Sequence, residues 1–500
     1  MRHRGTAYAG TATAIVLAAV YLLVDPQSAD LAAQTFRARI AEDHGFAIYN
    51  PYWYGGHHLP GYSLLTPPLF ALIGLQLSGA LAAVLASFSF ERLAHRYAKA
   101  TASGATIASC WFAVAMVATT LVTGRLTFAV GTALALSAVA LLPRWWAAAP
   151  VAALAGLASP VAGAFLALAL AVRVWHTGRY RDDAIVGACA VVPALALLVL
   201  FPGGGSFPFA LSALIPTLLA LLVLRACLPH DQRLLRTGVG ALFLLVLVSG
   251  IATTPMGGNA TRPCALLAGS IAILALWPRH RRRLLLLAPV LVYWQLATPI
   301  DDWRQARGDR SVQAAFYTPL KAELAARTGG AAARIEVPFT DNHWESARLP
   351  GNNLMLARGW ERQLDRKVNG LFYDDERLTV DRYRHWLADN AVSYVALPDA
   401  PLDYSAAAEA ALIRARPAYL REVWRNDDWQ LFAVADAVPL GVTAVAPDRI
   451  TVRARRPGDT LIRMTYSRYL HASNGASVHR SAGGRWTVVR AAHRGTIVLR

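Results

Sequence analysis

Lysine is almost absent from this chain of 500 residues: Lys99, Lys321 and Lys367 are the only three among 49 basic side chains. The four cysteines fall in or beside apolar runs and form no CxxC pair, which argues against a disulfide framework and a cysteine zinc site. The chain also has no Walker A sequence, no GxSxG elbow and no dinucleotide fingerprint placed after a strand. These absences argue against an ATP-driven pump and against a hydrolase.

Apolar residues are what the chain has in excess, at 55% of the total. Several runs reach the roughly 20 residues that a helix needs to cross a bilayer, so we expect a polytopic α-helical membrane protein with about 9–11 membrane helices. The first run lacks a small-residue cleavage site and is followed by many others, so it is interpreted as a retained span rather than a signal peptide. Much of the net charge of +18 is attributed to basic residues in short loops that would be cytoplasmic, and no nucleic-acid partner is predicted.

The basic loops also orient the predicted spans. Arg2 and Arg4 place the N-terminus in the cytoplasm, and the alternation of loops leaves residues 301–500 outside. The run 147–172 has arginines on both flanks, which favours two short helices broken near Ser159-Pro160. The arginine and alanine excess is typical of a GC-rich bacterial genome, so the predicted location is the bacterial plasma membrane. The other spans are predicted at 7–24, 69–90, 104–122, 126–142, 184–201, 208–227, 237–253, 263–277 and 284–299.

Three regions are expected. Residues 1–300 form the membrane domain, with an external loop over 25–68. Residues 301–445 form an external α/β domain, because predicted strands alternate with predicted helices. Residues 446–500 form a small external β module that resembles a β-sandwich. The strands are predicted at 334–339, 393–398, 429–434, 450–454, 461–466, 486–490 and 496–499, and the helices at 379–390 and 405–416.

Two carboxylates open the external loop. Asp25 ends the first span, and Asp30 begins a short predicted helix over 30–42. A carboxylate at the outer surface suits a general base that deprotonates an acceptor hydroxyl, or a ligand for a divalent cation. The structural alternatives are an interfacial position for Asp25 and an N-cap role for Asp30.

The loop returns to the membrane through aromatic and histidine residues. Trp53, Tyr54 and Tyr62 are candidates for stacking on a sugar, and their alternative is the interfacial aromatic belt. His57 and His58 suit phosphate or sugar contacts, or a structural role in the loop. Since no HExxH sequence or other spaced ligand set accompanies them, no metal site is assigned.

Arg125 and Arg262 are two cations on the predicted outer side, against the positive-inside trend. Each lies in a tight loop near glycine, and the planar guanidinium suits phosphate. Binding of a lipid phosphate is therefore one interpretation. The other interpretation is that the two arginines contact lipid headgroups or the external region.

Longer segments carry a resemblance to a known family. An external loop that opens at Asp25, the segment 45–57, Pro67-Pro68, and the segments 124–128 and 259–262 together resemble the GT-C superfamily of membrane glycosyltransferases. More narrowly, they resemble actinobacterial integral membrane proteins of the 6-pyruvoyl-tetrahydropterin synthase-related membrane family. The resemblance covers most of the chain.

The resemblance implies a function. It assigns the catalytic base to Asp30, with Asp25 second, and a polyprenyl-phosphate-linked sugar as donor. The acceptor would be an envelope glycan, lipid or protein on the outer face of the membrane. A divalent cation, Mg²⁺ or Mn²⁺, is the one cofactor left open. The alternatives are a transporter or flippase of a lipid-linked envelope precursor, and a non-catalytic envelope-assembly protein.

Overall fold

The computed structural model describes residues 8–97, 100–178, 180–374 and 376–500. The prediction that used Arg2 and Arg4 falls outside the described residues. The chain divides into two compact units. The helical unit comprises Met1–Gln34 and Pro60–Arg307, and the mixed unit comprises Thr35–Leu59 and Gly308–Arg500.

The helical unit contains the apolar helices. The helices are α1 Ala9–Val24, α2 Ala29–His44, α3 Thr66–Ile73, α4 Leu75–Arg96, α5 Ala102–Met116, α6 Leu126–Leu141, α7 Trp145–Ala158, α8 Pro160–Thr177, α9 Tyr180–Leu200, α10 Leu211–Cys227, α11 Arg233–Ile251, α12 Arg262–Leu276 and α13 Arg281–Gly308. Within the described residues, eight helices are long and apolar enough to cross a bilayer, or nine if the bent pair α1 and α2 is one span. Residues 35–44 of α2 and Gly308 of α13 belong to the mixed unit.

Two of the helix breaks in the helical unit bear on the predicted spans. The first was predicted: α7 ends before Ser159, and the Ser159 hydroxyl accepts a hydrogen bond from the amide of Ala162 to cap α8. The second was missed, since the span predicted over 69–90 is divided at Gly74 into α3 and α4. Gly74 has φ of +88°, a value that glycine adopts without strain.

Small residues let the helices of this unit approach closely. A Cβ on Gly156 of α7 or on Gly163 of α8 would lie 2.0 or 2.6 Å from the carbonyl oxygen of Ala190 on α9. Any side chain there would collide with backbone. In a lipid environment helices associate through such close packing rather than through exclusion of water.

The mixed unit combines strands and short helices. The strands are β1 Tyr49–Asn50, β2 His57–His58, β3 Ala333–Glu336, β4 Leu354–Leu356, β5 Tyr394–Pro398, β6 Leu420–Arg425, β7 Trp429–Val434, β8 Ala444–Ala446, β9 Arg449–Ala454, β10 Gly458–Thr465, β11 Ser477–Arg480, β12 Trp486–Ala491 and β13 Gly495–Leu499. The five-stranded sheet has the order β4-β3-β5-β7-β6, with β3 parallel to both of its neighbours and the other pairs antiparallel. Two three-stranded antiparallel sheets follow, β10-β12-β11 and β13-β9-β8. The helices are α14 Ala314–Thr328, α15 Glu345–Arg348, α16 Arg362–Val368, α17 Val380–Asp389 and α18 Ala407–Arg414.

Each strand and helix predicted beyond residue 300 has a counterpart in these elements, within about three residues at each end. The strands that were missed include β4, which has three residues, and β6, an edge strand with the sequence LREVWR. In neither strand do apolar and polar residues clearly alternate. The external loop predicted over 25–68 is divided between the two units, because residues 35–59 group with the mixed unit. The proposed domain boundaries at 300 and 445 stay predictions.

A buried charged network lies in the mixed unit. Arg358 is 1% exposed, and its Nη2 lies 2.8 Å from Asp365 Oδ2 while its Nη1 lies 3.4 Å from Glu409 Oε2. The hydroxyl of Tyr383 donates a hydrogen bond to Glu409 Oε1 at 2.8 Å. Burial raises the pKa of Glu409 and of its neighbour Glu336, and the Arg358 guanidinium opposes both shifts. Arginine is therefore the counter-charge on which this network depends.

Candidate functional site

Asp30 and Arg125 are joined by an ion pair in the helical unit. The distance from Arg125 Nε to Asp30 Oδ2 is 3.0 Å. The Asp30 side chain is 37% exposed and that of Arg125 is 28% exposed, so both remain accessible to solvent. Asp30 lies in the first turn of α2, which begins at Ala29, so it is one position beyond the N-cap that the structural alternative gave it. A carboxylate in that turn is stabilised by the helix dipole.

A tight turn at Gly124 brings these two side chains together. Gly124 has φ of +72°, and a Cβ on it would lie 2.4 Å from Ser28 Oγ and 2.6 Å from the amide nitrogen of Leu31. The backbone before α6 therefore approaches the start of α2 more closely than any side chain allows. Arg125, the next residue, is placed beside Asp30 as a consequence.

Gln34 fixes the same junction one turn further along α2. Its amide nitrogen donates to the carbonyl oxygen of Gly124, and its amide oxygen accepts from the backbone nitrogen and the hydroxyl of Thr127 at 2.8 and 2.9 Å. The Thr127 hydroxyl lies 3.3 Å from that of Thr66. These hydrogen bonds join α2 to the start of α6, and they thus hold the backbone around Asp30 and Arg125 in position. A π-helical segment, Val117–Val122, precedes this turn, and such segments are frequent at functional sites.

Arg262 lies near the pair, at the start of α12. Arg125, Asp30 and Tyr62 are all close enough to interact with it electrostatically. Its guanidinium carbon lies 5.3 Å from the centre of the Phe128 ring. The structure thus brings together four of the predicted site residues, two cations, one carboxylate and one phenol. Such a set suits an anion that bears a polar group.

Asp25 has different neighbours. It ends α1 in a left-handed conformation, with φ of +43°. Its Oδ1 accepts a hydrogen bond from Gln76 at 3.1 Å, and its carbonyl oxygen accepts one from Gln27 at 3.0 Å. The side chain is exposed, and its contacts fit the interfacial alternative as well as a catalytic one.

Trp53 and Tyr54 lie in the mixed unit and are 0% and 1% exposed. The indole nitrogen of Trp53 donates to the carbonyl oxygen of Ser346 at 3.1 Å, and its ring stacks on Phe36 with centroids 4.3 Å apart. The Tyr54 hydroxyl contacts the carbonyl oxygen of Gly359. Packing accounts for both rings, and a sugar-binding role for them stays a prediction.

The two glycines after Tyr54 close a short hairpin. Gly55 and Gly56 have φ of +73° and +116°, and a Cβ on Gly56 would lie 1.7 Å from the Tyr49 hydroxyl. The turn pairs β1 with β2, so that Tyr49 is opposite His58 and Asn50 is opposite His57. The glycines therefore serve close packing within the mixed unit.

His57 is buried in this hairpin beside a charged pair. Arg37 and Glu361 form an ion pair of 2.8 Å, and His57 Nε2 lies 4.0 Å from Glu361 Oε2. Burial, to which the positive charge of Arg37 adds, lowers the pKa of His57 to about 3. Burial raises the pKa of Glu361, while Arg37 opposes that shift. His57 is thus neutral at pH 7, which suits a structural role better than binding of phosphate.

His58 contacts the segment that follows β10. Its Nε2 lies 2.9 Å from Ser467 Oγ, and its ring contacts the rings of Tyr49 and Tyr469 edge to face. Ser467 also accepts a hydrogen bond from the amide of Tyr469 at 3.2 Å. The contacts of His58 are therefore with the segment around Ser467.

Within the described ranges, no group of three or more histidine, cysteine, aspartate or glutamate side chains is placed to hold a metal ion. Asp30, the carboxylate of the cluster around Arg125 and Arg262, is already paired with a cation. This donor set does not fit a divalent cation held by protein ligands. The Mg²⁺ or Mn²⁺ expectation stays a prediction.

No protein-family model and no curated protein sequence matches this chain. Among solved structures, the chain is similar to the cryo-EM structure of the arabinofuranosyltransferase AftD from mycobacteria, with a TM-score of 0.51 and 17% sequence identity. This likeness shows the fold alone, that of a polytopic helical membrane protein with a strand-rich C-terminal region. The match covers 92% of this chain and 41% of AftD, so the chain spans about two fifths of the length of AftD. The predicted fold class is confirmed, and the narrower family stays a prediction.

Sequence reasoning missed Gln34, Thr127 and the Arg37–Glu361 pair. The position of Gln34, one turn after Asp30 on the predicted helix, was the available signal. Glu361 is 324 residues from Arg37, and no local pattern connects them.

Proposed function

We propose that this chain is a membrane glycosyltransferase of the GT-C type that uses a polyprenyl-phosphate-linked sugar on the outer face of the plasma membrane. Its product would be a cell-envelope glycan or glycoprotein. The observation that carries the proposal is the pairing of Asp30 with Arg125, beside Arg262, on a fold similar to that of an arabinofuranosyltransferase.

In the proposed reaction Asp30 accepts the proton of the acceptor hydroxyl. The acceptor oxygen forms a bond to the anomeric carbon, and the bond from that carbon to the donor phosphate breaks. The phosphate leaves with the electron pair, and Arg125 and Arg262 stabilise its negative charge. Each of these groups is a side chain of the helical unit.

The ion pair between Asp30 and Arg125 fits this sequence of events. In the ion pair an oxygen of the Asp30 carboxylate accepts a hydrogen bond from Arg125 Nε. A donor phosphate that binds Arg125 competes with Asp30 for the guanidinium. Donor binding would therefore release the carboxylate for the acceptor's proton.

The test uses purified full-length protein in lipid, a panel of labelled polyprenyl-phosphate sugars and an envelope extract as acceptor. We expect Asp30→Asn to lower transfer by about 100-fold or more, since a positioned base contributes that much. Asp43→Asn, the same charge change at an exposed position of α2, should leave transfer within about threefold. Asp25→Asn establishes which of the two loop carboxylates is needed.

Two results would count against the proposal. Equal transfer by wild type and by Asp30→Asn would remove Asp30 from the role of base. If every donor keeps its label in the presence of folded wild-type protein, the protein is not a transferase of these donors. Movement of the intact lipid across the bilayer in the same preparation would then favour a flippase, and its absence an assembly protein.

A further inference from the structure

The strand pair β9 and β13 has one face covered by arginine. On β9, Ile450, Val452 and Ala454 are at most 2% exposed, so Arg449 and Arg453 point to the opposite side, where both are exposed. Alternation of side chains along a strand makes this face continuous.

The partner strand extends the same face. Arg453 is opposite Thr496, and Thr451 is opposite Val498. Arg455 and Arg494 are exposed and lie directly beyond the last pair of the two strands. The face formed by Arg449, Arg453, Arg455 and Arg494 is called the arginine face below. At about 3.3 Å per residue it runs for roughly 20 Å along the strands.

This face has little negative charge near it. Residues 443–500 contain eleven arginines and two aspartates, with no lysine or glutamate. In the part of the chain that the structure describes, no ion pair involves Arg449, Arg453, Arg455 or Arg494. One aspartate, Asp459, pairs with Arg490 at 2.7 Å on the other three-stranded sheet. The other, Asp448, lies 3.7 Å from His44.

Like charges gathered on one sheet face oppose folding, because they repel each other. Arg453, Arg455 and Arg494 are neighbours about 5–7 Å apart, and Arg449 lies about 13 Å from Arg453 along the strand. Four exposed arginines in this arrangement thus bring a cost that no internal carboxylate offsets. An anion that binds across several of them would offset it. Guanidinium groups bind carboxylate and phosphate oxygens through paired hydrogen bonds.

We propose that the arginine face binds a linear anionic glycan, a polysaccharide whose sugars carry carboxylate or phosphate groups. The charges extend for about 20 Å along the strands, which fits an extended chain that carries charges along its length. The hydroxyls of Thr451 and Thr496 lie between them and can bond to sugar hydroxyls. This binding does not depend on the transfer reaction proposed above.

A bilayer surface is a poorer fit to the same face. Protein surfaces that enter the membrane interface present aromatic or large apolar side chains beside their cations. The positions between the arginines here hold Thr451, Thr496 and the half-buried Val498. No side chain of the face is thus suited to insertion among lipid tails.

The test places the full chain in nanodiscs of neutral phosphatidylcholine and measures binding of fluorescein-labelled polygalacturonate by anisotropy. The face variant replaces Arg449, Arg453, Arg455 and Arg494 with glutamine. At about 2.5-fold per exposed ion pair, the loss of four pairs predicts about 40-fold weaker binding. Added salt should weaken binding to wild type and have little effect on the variant.

A matched variant controls for net charge. It replaces four exposed arginines elsewhere in the mixed unit with glutamine: Arg382, Arg384, Arg414 and Arg421. This control should bind within about threefold of wild type, because distant exposed charges are screened. The face variant should unfold at the same temperature as wild type or higher, since the change removes repulsion.

Several outcomes would overturn the proposal. These are equal loss of binding in both variants, equal affinity for neutral dextran, and equal affinity for polyglutamate. A further one is protection of β9 and β13 from hydrogen exchange in phosphatidylglycerol nanodiscs without binding of polygalacturonate. That result would assign the face to the bilayer.

Discussion

The interactions that stabilise the helical unit differ from those that stabilise the mixed unit. In the helical unit, Gly156 and Gly163 let two helices contact the backbone of a third at Ala190. In the mixed unit, Arg358 is buried against Asp365 and aromatic rings. Lipid offers helices no gain from excluding water, so close contact decides their packing. A water-exposed unit folds by burying apolar surface, and can enclose a charge there when a counter-charge accompanies it.

The largest expected effect follows from breaking the buried network. Arg358→Met leaves Asp365 and Glu409 buried without their cation, and we expect the free energy of unfolding of the mixed unit to fall by about 3–5 kcal/mol. The measurement is thermal unfolding of the full chain, with hydrogen exchange of peptides from β3 and α18. The loss should appear in the mixed unit and leave the helical unit's exchange unchanged.

The matched control is an ion pair at the surface. Arg490→Met breaks the exposed pair with Asp459 and should leave the unfolding temperature unchanged within error. If the two substitutions had equal effects, the buried network would not be what stabilises the mixed unit.

The second effect belongs to the helical unit. Gly156→Ala places a methyl group where the Ala190 carbonyl oxygen lies 2.0 Å away, so α7 and α9 must separate. We expect a loss of about 1–3 kcal/mol, as for other overpacked cores. Thermal unfolding in lipid and exchange of α9 peptides measure it.

Gly187→Ala on α9 is the corresponding control, because its nearest neighbours would be 3.8 Å away or more. Alanine has the higher helix propensity, so this change should be neutral or slightly stabilising. A loss at Gly187 as large as that at Gly156 would contradict close helix contact as the cause.

The smallest effect concerns pH in the mixed unit. Burial holds the pKa of His57 at about 3, below its value of 6.5 in the unfolded chain. The unfolded state therefore binds a proton as pH falls below 6.5 and the folded state does not, so acidification destabilises the fold. His57 should account for about 1 kcal/mol of the loss at pH 5.5, which His57→Phe removes.

The measurement is the unfolding temperature of both proteins between pH 5.5 and 7.5. Arg37 and Glu361 face His57 in wild type and variant alike, so the difference between the two curves isolates the histidine. His493→Gln, at an exposed position, should follow the wild-type curve. Parallel curves for wild type and His57→Phe would mean that the histidine is not held neutral by burial.

Particular residues indicate how far sequence reasoning reached. The break at Ser159-Pro160 could be predicted, because proline restricts the backbone on both sides of it. A strand such as β9 could be predicted, because its side chains alternate between core and solvent. The break at Gly74 was missed, since a single glycine in an apolar run is compatible with a continuous helix.

The candidate site was predicted in part. Asp30, Arg125, Arg262 and Tyr62 were each selected from the sequence, and the structure places them near one another. Trp53 and Tyr54 were selected for their side-chain chemistry, and the structure buries both. Side-chain chemistry identifies which residues can bind a sugar, while burial decides whether an aromatic ring remains available to bind one.

The sequence by itself determined the membrane class, most of the helices and the alternating strands, because each depends on local periodicity and on the length of apolar runs. Only the tertiary structure decided that Gly124 brings Arg125 to Asp30, that Arg37 pairs with Glu361, and that residues 35–59 belong with the mixed unit. Those features depend on contacts between segments far apart in the chain, which local patterns do not encode. The physical reason is that a close approach or a buried ion pair is set by the shape of both partners together.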